Sequence, residues 1–295
     1  MSEIHTNSCL LCPRACGADR AHGKTGVCGM PDTLYVSRIA PHLWEEPPIS
    51  GSRGSGTIFF TGCNLRCVFC QNRTISREGV GHPMTEEALA ERMLALQEQG
   101  VHNINLVTPT HYTARLARLL EKVKPLLRIP VVWNSSGYES VETLRMVEGL
   151  VDLYLPDFKY ISPELSSAYS AAPDYADRAT EAVLEMYRQV GKYREVNGLA
   201  QKGVILRHLV LPGCRADSMA VLRHIASILP PDEIRVSVMR QYTPDFAHDC
   251  PHKNLHRRVT EFEYTSVLDE AARLGLEGFS QGKDAADKAF TPAFE

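Results

Sequence analysis

Seven of the nine cysteines in this 295-residue chain lie before residue 71: Cys9, Cys12, Cys16, Cys28, Cys63, Cys67 and Cys70. An odd total, with the polar opening MSEIHTNSCLLC and no apolar signal segment, argues against a secreted disulfide scaffold. In a reducing compartment, bunched thiols point instead to metal. The remaining composition suits a globular body: 44% hydrophobic and 23% charged residues supply a sizeable core. A net charge of -3 disfavours nucleic acid and anionic membranes as partners. No run of about 18 apolar residues is present, so no membrane span is expected. The expectation is a cytoplasmic metalloprotein, whose length allows either two domains or one α/β barrel.

Residues 1–50 differ from the rest. They lack periodic apolar pattern, are rich in Cys, Gly and Pro, and close on EEPPISG, which reads as loop. A small metal-stapled module suits a stretch unable to build much core of its own. Residues 51–295 are expected to form the main domain, with strands near 57–62, 103–108, 130–134, 152–157, 204–212 and 234–239. Helical segments fall between and after them, near 85–99, 112–124, 140–148, 175–190, 217–229 and 260–274. Thr85 before two glutamates reads as an N-cap, and Thr260 with Glu263 as a capping box. Strand–helix alternation implies parallel strands joined by crossovers, and six units fit a partial (βα)6 barrel.

Directly after the first of these strands stands Gly62-Cys63-Asn64-Leu65-Arg66-Cys67-Val68-Phe69-Cys70. The C-x3-C-x2-C spacing puts three thiolates on a loop at the C-terminal end of a strand, where barrel active sites form. A [4Fe–4S] cubane held by three cysteines keeps one iron free of protein ligands, open to a substrate or cofactor. The alternatives are chance spacing and zinc; a structural zinc site needs a fourth ligand, and the nearest histidine, His82, lies beyond an apparent turn.

The string GCNLRCVFCQN after a first strand resembles the radical SAM superfamily, in particular the pyruvate formate-lyase activating enzymes and their relatives. The resemblance implies that Cys63, Cys67 and Cys70 ligate a [4Fe–4S] cluster whose open iron chelates S-adenosylmethionine. Reductive cleavage then yields a 5′-deoxyadenosyl radical that abstracts hydrogen from substrate. Phe69 is implied to pack near the adenine, with an ordinary core aromatic as the alternative. Asn134-Ser135-Ser136-Gly137 resembles the family's Thr-Asn-Gly stretch beside the ribose, placing Asn134 and Ser136 at the cofactor. Asp157-Phe158-Lys159 and Arg207-His208-Leu209-Val210-Leu211-Pro212-Gly213 are similar to the activases' Asp-Leu-Lys and Arg-Tyr-Val-Val-Val-Pro-Gly. Asp157, Lys159 and Arg207 are thereby implied to hold the cofactor's charged and ribose ends. Charges inside apolar strands need a partner or ligand, so strand-end salt bridges are the plainer alternative.

Two departures stand out. The Gly-Gly-Glu that usually receives the cofactor amino group is replaced by Thr108-Pro109-Thr110-His111, whose hydroxyls and carbonyls are the substitute acceptors. Only residues 71–84 separate the cysteine loop from the next helix, too few for the ferredoxin-like insert of some activases.

Upstream, Cys9, Cys12, Cys16 and Cys28 follow C-x2-C-x3-C-x11-C, a set able to close a zinc site or ligate a second iron–sulfur cluster. A related subgroup shares this cysteine module followed by EEPPISG and GCNLRCVFCQN. The loop 241–258 carries His248, Cys250, His252 and His256, read as a covering or solvated loop rather than a metal site because Pro251 weakens any helix there. Gln241 and Tyr242 are candidate pocket residues, Cys214 an ordinary reduced thiol, and Trp133 a core residue. The expected partners are a reductant such as flavodoxin or ferredoxin and an unidentified protein or small-molecule substrate. Three readings of function follow: activation of a glycyl radical enzyme, radical chemistry on a small molecule or peptide side chain, and a non-catalytic electron carrier or zinc-stabilised interaction protein.

Overall fold

The computed structural model describes residues 8–282 with Ala285, Pro292 and Phe294. The chain enters its sheet as β1 (Leu34–His42), turns through the short helix α1 (Pro47–Ser50) and returns antiparallel as β2 (Ser55–Phe60). After the cysteine loop and α2 (Arg73–Ser76), β3 (His82–Met84) pairs back onto β1. Strands and helices then alternate: α3 (Glu86–Glu98), β4 (Ile104–Val107), α4 (Thr113–Val123), β5 (Val131–Ser135), α5 (Val141–Arg145) and β6 (Leu153–Pro156). Two helices, α6 (Pro163–Ser170) and α7 (Tyr175–Val190), precede the hairpin of β7 (Arg194–Val196) and β8 (Leu199–Leu209). The last elements are α8 (Arg215–Ile228), β9 (Arg235–Met239), α9 (Glu261–Arg273) and β10 (Gly278–Ser280).

The sheet runs β10-β9-β8-β6-β5-β4-β2-β1-β3, parallel from β10 through β2 and antiparallel at β1 and β3. Its order is that of an open barrel, with β10 as a short addition to the six expected strands. Every residue of β2, β4, β5 and β6 is buried, as parallel strands covered on both faces require. Both expected caps form: Thr85 Oγ1 accepts from the Ala88 amide at 3.1 Å, and Thr260 and Glu263 close a reciprocal capping box. Among the described residues no helix is long and apolar enough to cross a membrane.

Three local differences from the sequence reading have physical causes. β1 lies inside the stretch expected as an N-terminal module, so the sheet crosses residue 50 without a break. A register shift between Val36 and Arg38 interrupts its alternation and hides the strand signal. EEPPISG contains α1, whose Ile49 is fully buried against Val132, Leu153 and Ile205. β8 starts at Leu199 because Asn197-Gly198, both at positive φ, make the two-residue turn of a hairpin.

Candidate active site

β2 delivers the chain to Gly62 at φ +88°, where a Cβ would sit 2.2 Å from the Met30 side chain and 2.8 Å from the Cys28 carbonyl. Only glycine fits that approach, and it lets the Cys63 amide donate to the Cys28 carbonyl at 3.3 Å. The next nine residues fold tightly, with Arg66 in the left-handed region and the Cys70 amide bonded to the Cys67 carbonyl. Each sulfur accepts a hydrogen bond: Cys63 from the Leu65 amide at 3.4 Å, Cys67 from the Ser170 hydroxyl at 3.0 Å, Cys70 from the Ser76 hydroxyl at 3.4 Å. Burial and the neighbouring thiols push Cys63 up to about 12, and burial raises Cys70 as well. Without a cation Cys63 and Cys70 resist ionisation; a bound metal charge would reverse that.

The three cysteines open onto a cavity of about 410 Å³. Phe69, Thr108, Asn134, Ser136, Asp157, Lys159 and Arg207 line the same space. Thr110 does not: its side chain is buried in a short 3-10 turn, its hydroxyl unpartnered and outside the cavity lining. Asp157 accepts from Lys159 Nζ at 2.5 Å and from Arg207 Nε at 3.0 Å. Burial alone would raise its pKa, but the two cations hold the carboxyl below its ordinary value. Arg207 also donates to Asn134 Oδ1 at 2.6 Å and to Glu45 Oε2 at 3.3 Å. Thr108, a β-branched residue at φ +59°, is held in a strained conformation on the cavity wall. Gly137 has φ +74° and would place a Cβ 2.2 Å from the Asp157 carbonyl, so glycine is required where the β5 and β6 loops meet.

Phe69 is buried with its ring edge-on to Tyr169 and Tyr242. Gln241 and Tyr242 line the cavity, whereas Cys214 packs beside the Tyr169 hydroxyl away from it. The three loop histidines go separate ways: His248 contacts the Asp245 carbonyl, His252 the Tyr169 ring and His256 the Cys250 carbonyl. Trp133 is a fully buried core residue whose indole donates to Glu139 at 3.2 Å. Sequence reasoning missed Ser76 and Ser170, which carry no motif, and Glu45 and Glu46, which lie in a proline-rich run before the barrel.

The four upstream cysteines sit outside the cavity lining, with Cys9 and Cys28 beside the buried Arg20. Its guanidinium donates to the carbonyls of Met30, Pro31 and His111, lies 3.8 Å from Cys9 Sγ, and packs over the Tyr112 ring. Burial raises Cys12 to about 11 and raises Cys28 as well. Arg14 ties the module to the catalytic loop, donating to the carbonyls of Asn64, Ser170 and Ala171. Among the described residues no group of three or more His, Cys, Asp or Glu side chains is arranged to hold a metal ion. A cubane asks for something different, since each of its cysteines binds its own iron. The hydrogen-bonded thiols of 63–70, facing a charged cavity, fit that donor set.

Residues 57–213 match the radical SAM superfamily. An uncharacterized protein of Methanocaldococcus jannaschii (MJ0674) is 29% identical over 282 residues, spanning 92% of this chain and 76% of that one. SuiB of Streptococcus suis, solved bound to the precursor peptide SuiA, superposes with a TM-score of 0.54 at 13% identity, over 76% of this chain and 47% of SuiB. The S-adenosylmethionine-bound form of SuiB gives 0.54 at 12% identity, over 76% and 49%. This chain thus matches about half the length of SuiB, and the likeness is one of fold. The family match covers more than half of the sequence, from β2 through the loop after β8, and the chain belongs to the radical SAM superfamily.

Proposed function

We propose that the chain is an enzyme that cleaves S-adenosylmethionine reductively at the cavity beside Cys63, Cys67 and Cys70 and abstracts a hydrogen atom from a substrate held there. The observation that carries this reading is the meeting, in one cavity, of three hydrogen-bonded thiols with the Asp157–Lys159–Arg207 charge array. Membership of the superfamily implies a [4Fe–4S] cluster and S-adenosylmethionine; when reduced, the cluster supplies the electron that splits the sulfonium and yields a 5′-deoxyadenosyl radical.

The chain's own residues do the rest. Cys63, Cys67 and Cys70 hold the cluster, and the Ser76 and Ser170 hydroxyls stabilise the thiolate form of Cys70 and Cys67. Lys159 and Arg207 present positive charge to the cofactor carboxylate, with Asp157 fixing both side chains. Asn134 and Ser136, on the same cavity wall, would meet the ribose hydroxyls. Thr108, rather than Thr110, supplies acceptors for the ammonium in place of Gly-Gly-Glu. Phe69 packs against the adenine side of the pocket. Gln241, Tyr242, Thr243 and Phe246 line the cavity and would limit the access of water to a bound cofactor. The electron comes from an external reductant such as flavodoxin or ferredoxin.

Cys9, Cys12, Cys16 and Cys28 hold a second metal group, zinc or iron–sulfur. Glycyl radical activation is one form of the hydrogen abstraction, and action on a small molecule or peptide side chain is the other. The test is anaerobic reconstitution with iron and sulfide, followed by reductant and S-adenosylmethionine. 5′-Deoxyadenosine and methionine are the expected products, and their absence from fully reconstituted protein returns the chain to a non-catalytic iron–sulfur or zinc protein. A glycyl radical signal in a partner, read by electron paramagnetic resonance, separates activation from the other chemistry.

A further inference from the structure

Among the described residues, one carboxylate oxygen on the cavity wall is buried without a partner: Glu46 Oε2, on a residue only 8% exposed. Its position follows from sheet register. β1 runs antiparallel to β2, pairing Val36 with Phe60 beside the cysteine loop and His42 with Ser55 at the opposite end. Residues 43–47 therefore reach the cavity from the end of the barrel away from Cys63.

The neighbouring charges are already engaged. Glu45 accepts from Asn105 and Asn134 on one oxygen and from Arg207 on the other. Arg207 is shared by Glu45, Asp157 and Asn134, and Lys159 by Asp157. Among the described residues three carboxyl groups thus face two cations, and Glu46 is the one that makes no ion pair. Burial raises the Glu46 carboxyl above its ordinary pKa; Arg207, beyond ion-pair distance, is the strongest influence opposing that rise, and the Ser237 hydroxyl a weaker one. A carboxylate oxygen buried without a donor has lost the hydrogen bonds water gave it, a cost that an incoming donor removes. Beside it, Leu43 lines the cavity while remaining more than half exposed, a rim suited to an alkyl stem.

We propose that Glu46 anchors a substrate subsite at the cavity end away from the cysteines, and that the group it takes is cationic, an ammonium or guanidinium. The inference rests on the radical SAM reading of the cavity and names the substrate class for it. The cation belongs either to a free amine or to a lysine or arginine side chain of a peptide, and one experiment distinguishes them.

The full-length, cluster-reconstituted protein is titrated calorimetrically, with S-adenosylmethionine present, against agmatine and against blocked Gly-Arg-Gly and Gly-Lys-Gly peptides. The citrulline peptide serves as the neutral counterpart of the arginine one. The charged probe is expected to bind at least about tenfold tighter than its neutral counterpart, with E46Q losing at least about tenfold and E46D losing less. Binding of agmatine alone assigns a free amine, and binding of the peptides alone assigns a basic side chain. Equal binding of charged and neutral probes, or no binding of any cationic probe, overturns the subsite. The wild-type comparison of charged with neutral probes stands even where E46Q does not fold. 5′-Deoxyadenosine release is assayed in the same preparations. Charge-selective binding without release keeps the subsite and overturns the radical reading; release without charge selectivity does the reverse.

Discussion

The chain's two cysteine groups touch each other and yet sit in opposite surroundings. Cys63 donates its amide to the Cys28 carbonyl, and Arg14 of the upstream module is bonded to the Asn64 carbonyl of the downstream loop. Downstream, the thiols face a cavity and share it with Lys159, Asp157 and Arg207. Upstream, Cys9 and Cys28 lie against a buried arginine and outside any such space. An open set of three leaves a coordination position for chemistry, whereas an enclosed set of four closes it. The lesson is that thiol number and surroundings, rather than proximity, distinguish the two groups.

The sharpest way to break this division is Cys67→Ala. It is expected to abolish 5′-deoxyadenosine formation while metal stays on the upstream module, read by metal analysis of the purified protein. Loss of all metal in that variant would merge the two sites into one. Next in size is Arg20→Met, which strands three buried carbonyls and removes the charge beside Cys9; it should cost roughly 3–5 kcal/mol in chemical denaturation. An unchanged denaturation midpoint would show that the module is held by its metal alone.

pH probes the barrel side. Burial pushes Glu139 from 4.5 to about 7, with Ser135 and Trp133 hydrogen bonds offsetting part of the rise. A carboxyl raised on folding contributes stability that is full below pH 4.5 and lost as pH climbs through about 7. Across that window the loss is at most roughly 3 kcal/mol, and Glu139→Gln should flatten it in thermal melts at pH 5 and 8 (values of about this size following from the pKa shift). A variant with the wild-type slope would assign the pH dependence to other groups. The smallest effect belongs to Ser170→Ala, which deletes the hydroxyl bond to Cys67 Sγ. A loss of roughly 1–2 kcal/mol of thiolate stabilisation should lower the cluster's reduction potential and slow cleavage by up to about tenfold, with iron content retained. A potential equal to wild type would remove Ser170 from the site.

Much of the barrel was legible because its signals are local. The apolar runs of β4, β5, β6 and β9 sit within two residues of their expected limits, and the caps at Thr85 and Thr260 announce themselves by residue type. β1 was not legible, since its register shift breaks the period that marks a strand. The Asn197-Gly198 turn was there to be found, a hairpin signal that extends β8 backward. Within the site, Asp157, Lys159 and Arg207 stood out as charges in apolar strands. Thr110, two residues beyond Thr108, looked equivalent to it in sequence, yet the 3-10 turn beginning at Thr110 carries its side chain away from the cavity.

The sequence alone determined the three-thiol loop, because residues within eight positions on one turn cannot be far apart. It also determined the strand–helix alternation that makes a barrel. Only the tertiary structure decided what meets across the chain: Cys28 against Cys63, Ser170 against Cys67, and Glu45 against Arg207, 162 positions away. Such contacts depend on sheet order and strand register, which are settled when distant segments pack together. No local pattern of residue types encodes them, and this is why the far wall of the cavity, with Glu46 on it, came into view only in the folded chain.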